Sequence, residues 1–141
     1  MATTTRSLCV LDTSVAAAWF FTDDHQHDRA VAVRRDLRDE PRSYVVPHLF
    51  YSELVHVLSR KWRDVATVRS AVDVVIRFGI RTLALSNDAW LRASEWACTR
   101  VGGYDATFVA LAEDVGGKWL TADEDAARAA GDVALTLAAW S

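Results

Sequence analysis

The sequence lacks the features that mark secreted, membrane-bound or disulfide-stabilised proteins. Its longest uninterrupted apolar run covers only residues 15–21, far fewer than the roughly 20 apolar residues that a membrane-spanning helix needs. The N-terminal segment MATTTRSL contains one arginine and no apolar core, so it does not resemble a secretory signal. Two cysteines are too few for a disulfide framework. We therefore expect a cytoplasmic protein that does not interact with membranes.

Residues that form linkers are also scarce. The 141 residues include two prolines and six glycines, and no repeat or low-complexity segment divides them. This length is sufficient to bury a hydrophobic core, and 51% of the residues are hydrophobic. The sequence therefore predicts a single domain over residues 1–141, in which residues 1–6 form a flexible N-terminus.

The charged residues are unevenly distributed, although the net charge of the chain is only −3. Residues 60–100 contain eight arginines and lysines against four acidic residues, whereas residues 101–141 contain two against seven. A basic segment beside an acidic one is compatible with ordinary solvated surface. It also leaves room for a cation-binding site flanked by arginines that hold phosphate groups.

Short apolar segments alternate with segments of helical periodicity along the whole chain. The segment LCVLD, residues 8–12, is typical of a buried strand that ends at an acidic residue. The other strand-like segments are residues 44–47, 80–86, 118–123 and 133–140. Strands that alternate with helices form parallel sheets through right-handed crossovers. The sequence therefore predicts an α/β fold with three α/β/α layers and a central, mainly parallel sheet.

Two of the predicted helices carry apolar faces. In residues 64–78 this face has three- and four-residue spacing and consists of Val65, Val68, Val72, Val75 and Ile76. The next helix is expected to begin after a capping Asn87 or Asp88. Its inward face is predicted to consist of Trp90, Ala93, Ala97 and Val101. Both faces are therefore expected to be buried.

Three aspartates stand where predicted helices begin. Asp12 and Asp123 each follow a predicted strand, and Asp105 follows the Gly102–Gly103 turn. An aspartate at a helix start accepts hydrogen bonds from free backbone amides and interacts favourably with the helix dipole. Each of the three, considered alone, is therefore interpretable as an N-cap.

Glu53 has no such explanation. It lies in the middle of a predicted helix that is apolar on nearly all sides, so this helix is expected to be buried. A buried carboxylate is costly unless it is paired, protonated or bound to a cation. Only His56 could pair with it within the helix, so its partner is expected elsewhere in the fold. A salt bridge to an arginine and a cation site are both compatible with this position.

The predicted sheet brings several acids to one edge. Sites in parallel α/β sheets form outside the carboxyl ends of the strands, where Asp12 and Asp123 are predicted to lie and where Asp105 can join them. Carboxylates about 4 Å apart repel each other by several kcal/mol, so they require protons or a cation between them. Oxygen ligands favour hard ions such as Mg²⁺ or Mn²⁺, and such ions activate water for attack on phosphate esters.

Three motifs carry a resemblance to a known family. In order along the chain they are VLDTSVAAAWF, VPHLFYSELVHVL and YDATFVALAEDVGGKWLTADEDAAR. Their order and spacing resemble those of PIN-domain ribonucleases, and most closely the VapC-type toxins of bacterial toxin–antitoxin pairs. The resemblance covers nearly the whole chain. It implies a central parallel sheet flanked by helices and an endoribonuclease that depends on Mg²⁺ or Mn²⁺.

The resemblance also implies which residues form the catalytic and metal site. The acidic positions of the family correspond to Asp12 in LDTS, Glu53 in YSEL, Asp105 in YDAT and Asp123 in TAD. Ser14 and Thr121 match small hydroxyl residues that support the metal or its waters. Asp125 could share or replace the role of Asp123, since both lie in one acidic run.

By the same resemblance, the expected partners are RNA, a small antitoxin protein and a second copy of the chain. Hydrolysis by an activated water needs no side-chain nucleophile, and in-line attack would leave a 5′-phosphate and a 3′-hydroxyl. We further hypothesise that Arg60, Arg63 or Arg69, from the basic segment, holds the RNA backbone.

Other interpretations are open at this point. A PIN-type nuclease with a housekeeping role in RNA or DNA processing would carry the same motifs, and a non-catalytic binding module could keep the acids for structure. Two phosphotransfer folds fit poorly. A haloacid-dehalogenase-type phosphatase needs aspartate where Ser14 stands, and a receiver domain needs a lysine at the end of a strand, whereas Lys118 begins its strand. The polar loop FTDDHQHD, residues 21–28, is assigned to no functional element.

Overall fold

The computed structural model describes residues 7–141, and the predicted flexible segment 1–6 lies outside the described residues. The strands are β1 (Cys9–Leu11), β2 (Tyr44–Val46), β3 (Arg81–Thr82), β4 (Lys118–Thr121) and β5 (Ala134–Thr136). The helices are α1 (Thr13–Ala18), α2 (His27–Asp39), α3 (Leu49–Trp62), α4 (Val65–Arg77), α5 (Asn87–Thr99), α6 (Gly103–Asp114) and α7 (Glu124–Ala130). Two short 3-10 helices, Pro41–Ser43 and Gly131–Val133, precede β2 and β5.

The five strands pair in parallel in the order β3-β2-β1-β4-β5. The central strand β1 aligns Val10 with Val45 of β2 and with Trp119 of β4. Helices flank this sheet, which confirms the predicted three-layer α/β/α fold. The chain leaves β1 for β2 on one side and later reaches β4 on the other. The carboxyl ends of β1 and β4 therefore border the crevice where α/β folds form their sites.

A glycine allows β4 to begin close to β1. A Cβ atom at Gly117 would lie 2.2 Å from the carbonyl oxygen of Leu8, so any larger residue would push the two chain segments apart. Lys118 N donates to this same oxygen at 2.9 Å. The pairing that aligns β1 with β4 begins at this contact.

The edge strands are shorter than the sequence predicts. β3 covers two residues of the predicted 80–86, and β5 covers three of the predicted 133–140. The neighbour of β3 is β2, which ends at Val46, before Pro47. Proline has no N–H with which to continue a ladder, and one further bond joins Leu83 N to Val46 O at 2.9 Å. The alternating sequence pattern therefore predicts a longer strand than forms, because the neighbouring strand is too short to pair with all of it.

The apolar face of α4 is only partly buried, whereas the sequence predicts a buried face; Val68 and Val72 are half-buried and pack against the core. Val75 is fully buried, but Val65 is 83% exposed and Ile76 is 55% exposed. α4 packs mainly on α3, and this contact covers only one side of the apolar stripe. Periodicity reveals an apolar stripe, but it does not specify which element covers the stripe.

The inward face of α5 also differs from the prediction. Ser86 is the N-cap in place of Asn87 or Asp88, and its Oγ accepts a backbone N–H of the first turn at 3.0 Å. Of the predicted inward residues, Ala93 and Val101 are buried, whereas Trp90 and Ala97 are exposed. α5 packs on α6 through small side chains such as Ala93, so a bulky side chain at this contact would hold the helices apart.

Helix α6 is the central helix of the core. Each residue from Ala106 to Ala112 is buried, and the helix packs on α5, β1 and β4. Its C-terminal end leads through Gly116 and Gly117 directly into β4, so its first turn lies toward the carboxyl edge of the sheet. Although α6 is buried, neither it nor any other helix within residues 7–141 is long and apolar enough to span a membrane.

Candidate active site

A pocket of about 340 Å³ opens beside the carboxyl end of β1. Three of the four predicted acids line it, namely Asp12, Glu53 and Asp105. The wall is completed by side chains of α1, α3 and the polar loop that precedes α2. Folding thus brings together acids that are far apart in the sequence.

Asp12 follows β1 and is the N-cap of α1, as predicted. Its Oδ2 accepts hydrogen bonds from Ser14 N (3.1 Å), Ser14 Oγ (2.5 Å) and Thr121 Oγ1 (3.2 Å). Its Oδ1 accepts one from Trp119 Nε1 at 3.2 Å. Burial raises the pKa of Asp12, and these hydrogen bonds act in the opposite direction. The four donors therefore favour the carboxylate form of a buried side chain.

The two hydroxyl residues connect the end of β1 with the end of β4. Ser14 Oγ accepts a hydrogen bond from Ala122 N at 3.0 Å, and Thr121 Oγ1 accepts one from Asp123 N at 3.1 Å. Each hydroxyl therefore donates to Asp12 and accepts from the backbone that follows β4. Ser14 also lines the pocket, whereas Thr121 is fully buried.

Glu53 lines the pocket from α3. The expectation that this helix is buried on all sides is wrong, because Val55 is 45% exposed and Glu53 itself is partly exposed. Its partner across the fold is Thr13, whose Oγ1 donates to Glu53 Oε1 at 3.2 Å. Within the described residues, Glu53 forms no ion pair with an arginine. The charges of two other acids, Asp12 and Asp105, instead raise its pKa.

Asp105 lies in the first turn of α6 but does not cap this helix. The helix begins at Gly103, its N-cap is Gly102, and none of the described side chains caps its free amides. The N-cap interpretation is therefore wrong for Asp105. Its carboxyl group lines the pocket instead.

Asp123 caps α7, as predicted, because its Oδ1 accepts from Ala126 N at 3.0 Å. It is exposed and is not among the described residues that line the pocket, yet its charge raises the pKa of Asp105. Asp125 is exposed and pairs with Arg128. The structure thus places Asp123 at the margin of the acidic group and Asp125 outside it.

Burial and mutual repulsion raise the pKa values of the pocket acids. For Asp105, burial and then the charges of Asp12 and Asp123 raise the pKa to about 6. For Glu53, burial and the charge of Asp12 raise the pKa, and the hydrogen bond from Thr13 lowers it. Acids with raised pKa values in a cleft are typical of functional sites. A bound cation would relieve their repulsion.

The polar loop 21–28, to which the sequence assigns no function, contributes to the pocket. Phe21 and Asp24 line it. Gln26 N donates to Asp24 Oδ1 at 2.8 Å, and Gln26 Nε2 donates to Ala122 O at 2.9 Å, which fastens the loop to the chain that leaves β4. The loop has no hydrophobic periodicity. The only sequence signal that could have indicated a role for Asp24 is the pair of adjacent aspartates to which it belongs.

The donor atoms of the pocket fit a hard divalent cation. They include the carboxylate oxygens of Asp12, Asp24, Glu53 and Asp105 and the hydroxyl of Ser14, and oxygen ligands suit Mg²⁺ or Mn²⁺. Within residues 7–141, no group of three or more histidine, cysteine, aspartate or glutamate side chains has the spacing of a preformed metal site. The acids therefore converge on the pocket without closing around one position.

The three predicted RNA-binding arginines lie at a different surface. Arg60, Arg63 and Arg69 line a groove of about 1110 Å³ between α3 and α4, which we call the α3–α4 groove. Exposed apolar side chains of the same groove include Val65 and Ile76. None of the three arginines is among the described residues that line the acidic pocket.

Residues 9–132 match the model of the PIN domain family. No curated protein matches the sequence significantly.

Solved structures share this fold. VapC20 of Mycobacterium tuberculosis, a Sarcin-Ricin loop cleaving toxin, has a TM-score of 0.66 and 21% identity over 86% of this chain and 94% of its own. VapBC2 from Rickettsia felis, bound to a promoter DNA fragment, has a TM-score of 0.70 and 12% identity over 92% and 98%. A toxin–antitoxin complex from Klebsiella pneumoniae has a TM-score of 0.61 and 17% identity over 92% and 97%.

We predict that Asp105→Asn stabilises the metal-free protein near neutral pH. The pKa of Asp105 is about 6 in the folded protein and 3.8 as its ordinary value, so its contribution to stability is fully present below pH 4 and is lost as the pH rises through 6. The variant should be more stable than wild type at pH 7.5 by about 1 kcal/mol, a value reduced for the solvent around this half-buried group. Urea unfolding in EDTA at pH 4 and pH 7.5 measures the difference.

Asp125→Asn is the matched control, since it makes the same substitution at an exposed carboxylate outside the pocket. It should show no such gain at pH 7.5. A wild-type protein that is as stable as Asp105→Asn at pH 7.5 would contradict the repulsion inferred for the pocket.

Proposed function

The chain belongs to the PIN domain family, and from this premise we propose that it is a metal-dependent endoribonuclease that acts as the toxin of a toxin–antitoxin pair. Membership of this nuclease family supports hydrolysis of nucleic acid. The observation that carries the proposal is the convergence of Asp12, Glu53 and Asp105 on one pocket, where the charge of Asp123 also acts. Solved structures of toxins with the same fold support the toxin role.

We assign the binding of Mg²⁺ or Mn²⁺ to the four acids Asp12, Glu53, Asp105 and Asp123. When bound, such a cation polarises a phosphoryl oxygen and lowers the pKa of water. Asp12 contributes a carboxyl group that its four donors orient, and these hydrogen bonds favour its ionised form against the effect of burial. Glu53 and Asp105 hold protons more readily than ordinary carboxyl groups, and they would release these protons when a cation binds.

RNA is the proposed substrate, and water is the proposed nucleophile. The side chains around the pocket bind and orient, so the chemistry needs no covalent intermediate on the protein. The expected products carry a 5′-phosphate and a 3′-hydroxyl. Arg60, Arg63 and Arg69 are proposed contacts for the RNA backbone. An RNA strand bound both at these arginines and near Glu53 would contact α3, which contributes residues to the groove and to the pocket.

A small antitoxin and a second copy of the chain are the proposed protein partners. The α3–α4 groove combines exposed apolar residues such as Val65 and Ile76 with arginines, and exposed apolar patches of this kind mark interaction surfaces. Toxin–antitoxin complexes among the solved structures with this fold support the antitoxin. The mass of the purified chain alone in solution separates self-association from capture of an antitoxin.

Purified protein is expected to cleave RNA in Mg²⁺ or Mn²⁺ and to be inactive in EDTA. Asp12→Asn keeps an oxygen that can cap α1 but removes the charge, so we expect the cleavage rate to fall at least about 100-fold. Gel analysis of end-labelled RNA measures the rate. Asp125→Asn, which changes an exposed carboxylate outside the pocket, should retain the wild-type rate.

Cleavage that persists in Asp12→Asn or in EDTA would contradict the proposed four-acid metal site. A wild-type protein that binds metal but cleaves neither RNA nor DNA would favour the non-catalytic binding module. Cleavage restricted to DNA would refute the RNA substrate and leave the nuclease.

The toxin role predicts growth arrest when the wild-type chain is expressed alone in bacteria. Because arrest would depend on cleavage, Asp12→Asn should restore growth at the same protein level. Optical density after induction, with immunoblots to match expression, measures the effect. Normal growth with a chain that is an active ribonuclease in vitro would favour the housekeeping role.

A further inference from the structure

A buried tryptophan contacts the acidic pocket through Asp12. Trp119 lies in β4, is fully buried, and its Nε1 donates to Asp12 Oδ1 at 3.2 Å. Trp119 and Thr121 are two residues apart on one strand, so their side chains leave the same face of the sheet. Both donate to Asp12. The sequence pattern alone suggests only a core residue at this position.

The two oxygens of Asp12 have different hydrogen-bonding environments. Oδ2 accepts from three donors, two of Ser14 and one of Thr121, whereas within residues 7–141 Oδ1 accepts from Trp119 alone. A carboxylate oxygen offers about two lone-pair positions. The capacity of Oδ2 is therefore filled, and Oδ1 keeps one position for a further ligand. An indole N–H donates and cannot accept, so Trp119 supports only the acceptor form of this oxygen.

We propose that Trp119 is a positioning residue that fixes the orientation of the Asp12 carboxylate, so that Oδ1 is the oxygen that binds a divalent cation. This inference rests on the proposed metal-dependent function. Groups that hydrogen-bond to a metal ligand fix its orientation, and their loss typically weakens metal affinity by about 10–100-fold. Trp119 therefore acts on the metal through Asp12 and does not touch the substrate.

The first test uses the wild-type protein. The chain has six tryptophans, whose indole N–H groups are resolved by ¹⁵N NMR during a titration with diamagnetic Mg²⁺. The Trp119 resonance should shift and saturate, because its acceptor oxygen becomes a metal ligand. Trp19, which donates to Ala30 O at 2.8 Å, and Trp96, which donates to Glu113 Oε1 at 2.7 Å, are internal references that should not move.

The second test is Trp119→Phe, which keeps an aromatic ring and removes the N–H donor. We expect its Mg²⁺ affinity, measured by calorimetry, to fall about 10-fold. Trp96→Phe is the matched control, since it also removes an indole bond to a carboxylate, that of Glu113, outside the pocket. It should bind Mg²⁺ like wild type. A merely structural role would lower stability in urea without changing affinity.

The outcomes separate this inference from the proposed function. If wild type binds Mg²⁺ but the Trp119 resonance stays fixed, or if Trp119→Phe binds within twofold of wild type, the positioning role is wrong and the metal site stands. If wild type binds no Mg²⁺, the inference and the metal-dependent function both fail. If Trp119→Phe does not fold, the wild-type titration alone decides.

Discussion

The buried carboxylate of Asp12, at the carboxyl end of β1, is the charge around which the site is arranged. A carboxylate removed from water is costly unless donors replace the lost hydration. Here the donors come from Ser14 on α1 and from Trp119 and Thr121 on β4. The two donors on β4 reach Asp12 only while β1 and β4 pair in their observed register. The pairing of β1 with β4 at the centre of the sheet is therefore also required for the orientation of Asp12.

A second requirement concerns the charges that gather beside Asp12. Glu53 arrives from α3 and Asp105 from the first turn of α6, and each lies where the others disfavour its ionisation. The core holds Asp105 in place, because the middle of α6 is buried against α5 and the sheet. Hydrophobic packing thus maintains an electrostatic repulsion. A ligand that binds only the folded protein and neutralises this charge therefore stabilises the folded protein.

The sequence reveals the parts of the site that depend on periodicity and topology. Asp12 and Asp123 are predictable because a parallel sheet gathers the carboxyl ends of its strands at one edge. Asp105 is found but misread as a cap, since Gly102 starts the helix earlier than the acid suggests. Asp24 lies in an aperiodic loop and Trp119 looks like a core residue, so only the folded structure shows their contacts. The partial exposure of the apolar stripe of α4 was also not predictable, because a local sequence pattern does not show which element packs on the stripe.

We propose that carboxylates from three elements bind a divalent cation at the carboxyl edge of the sheet. Crystals grown with Mn²⁺, and measured at a wavelength where manganese scatters anomalously, test it most directly. We expect an anomalous peak in the acidic pocket, from a manganese ion bound by Asp12 Oδ1 and by Glu53 or Asp105. A map without a peak in this pocket, at a Mn²⁺ concentration that supports RNA cleavage in solution, would contradict it.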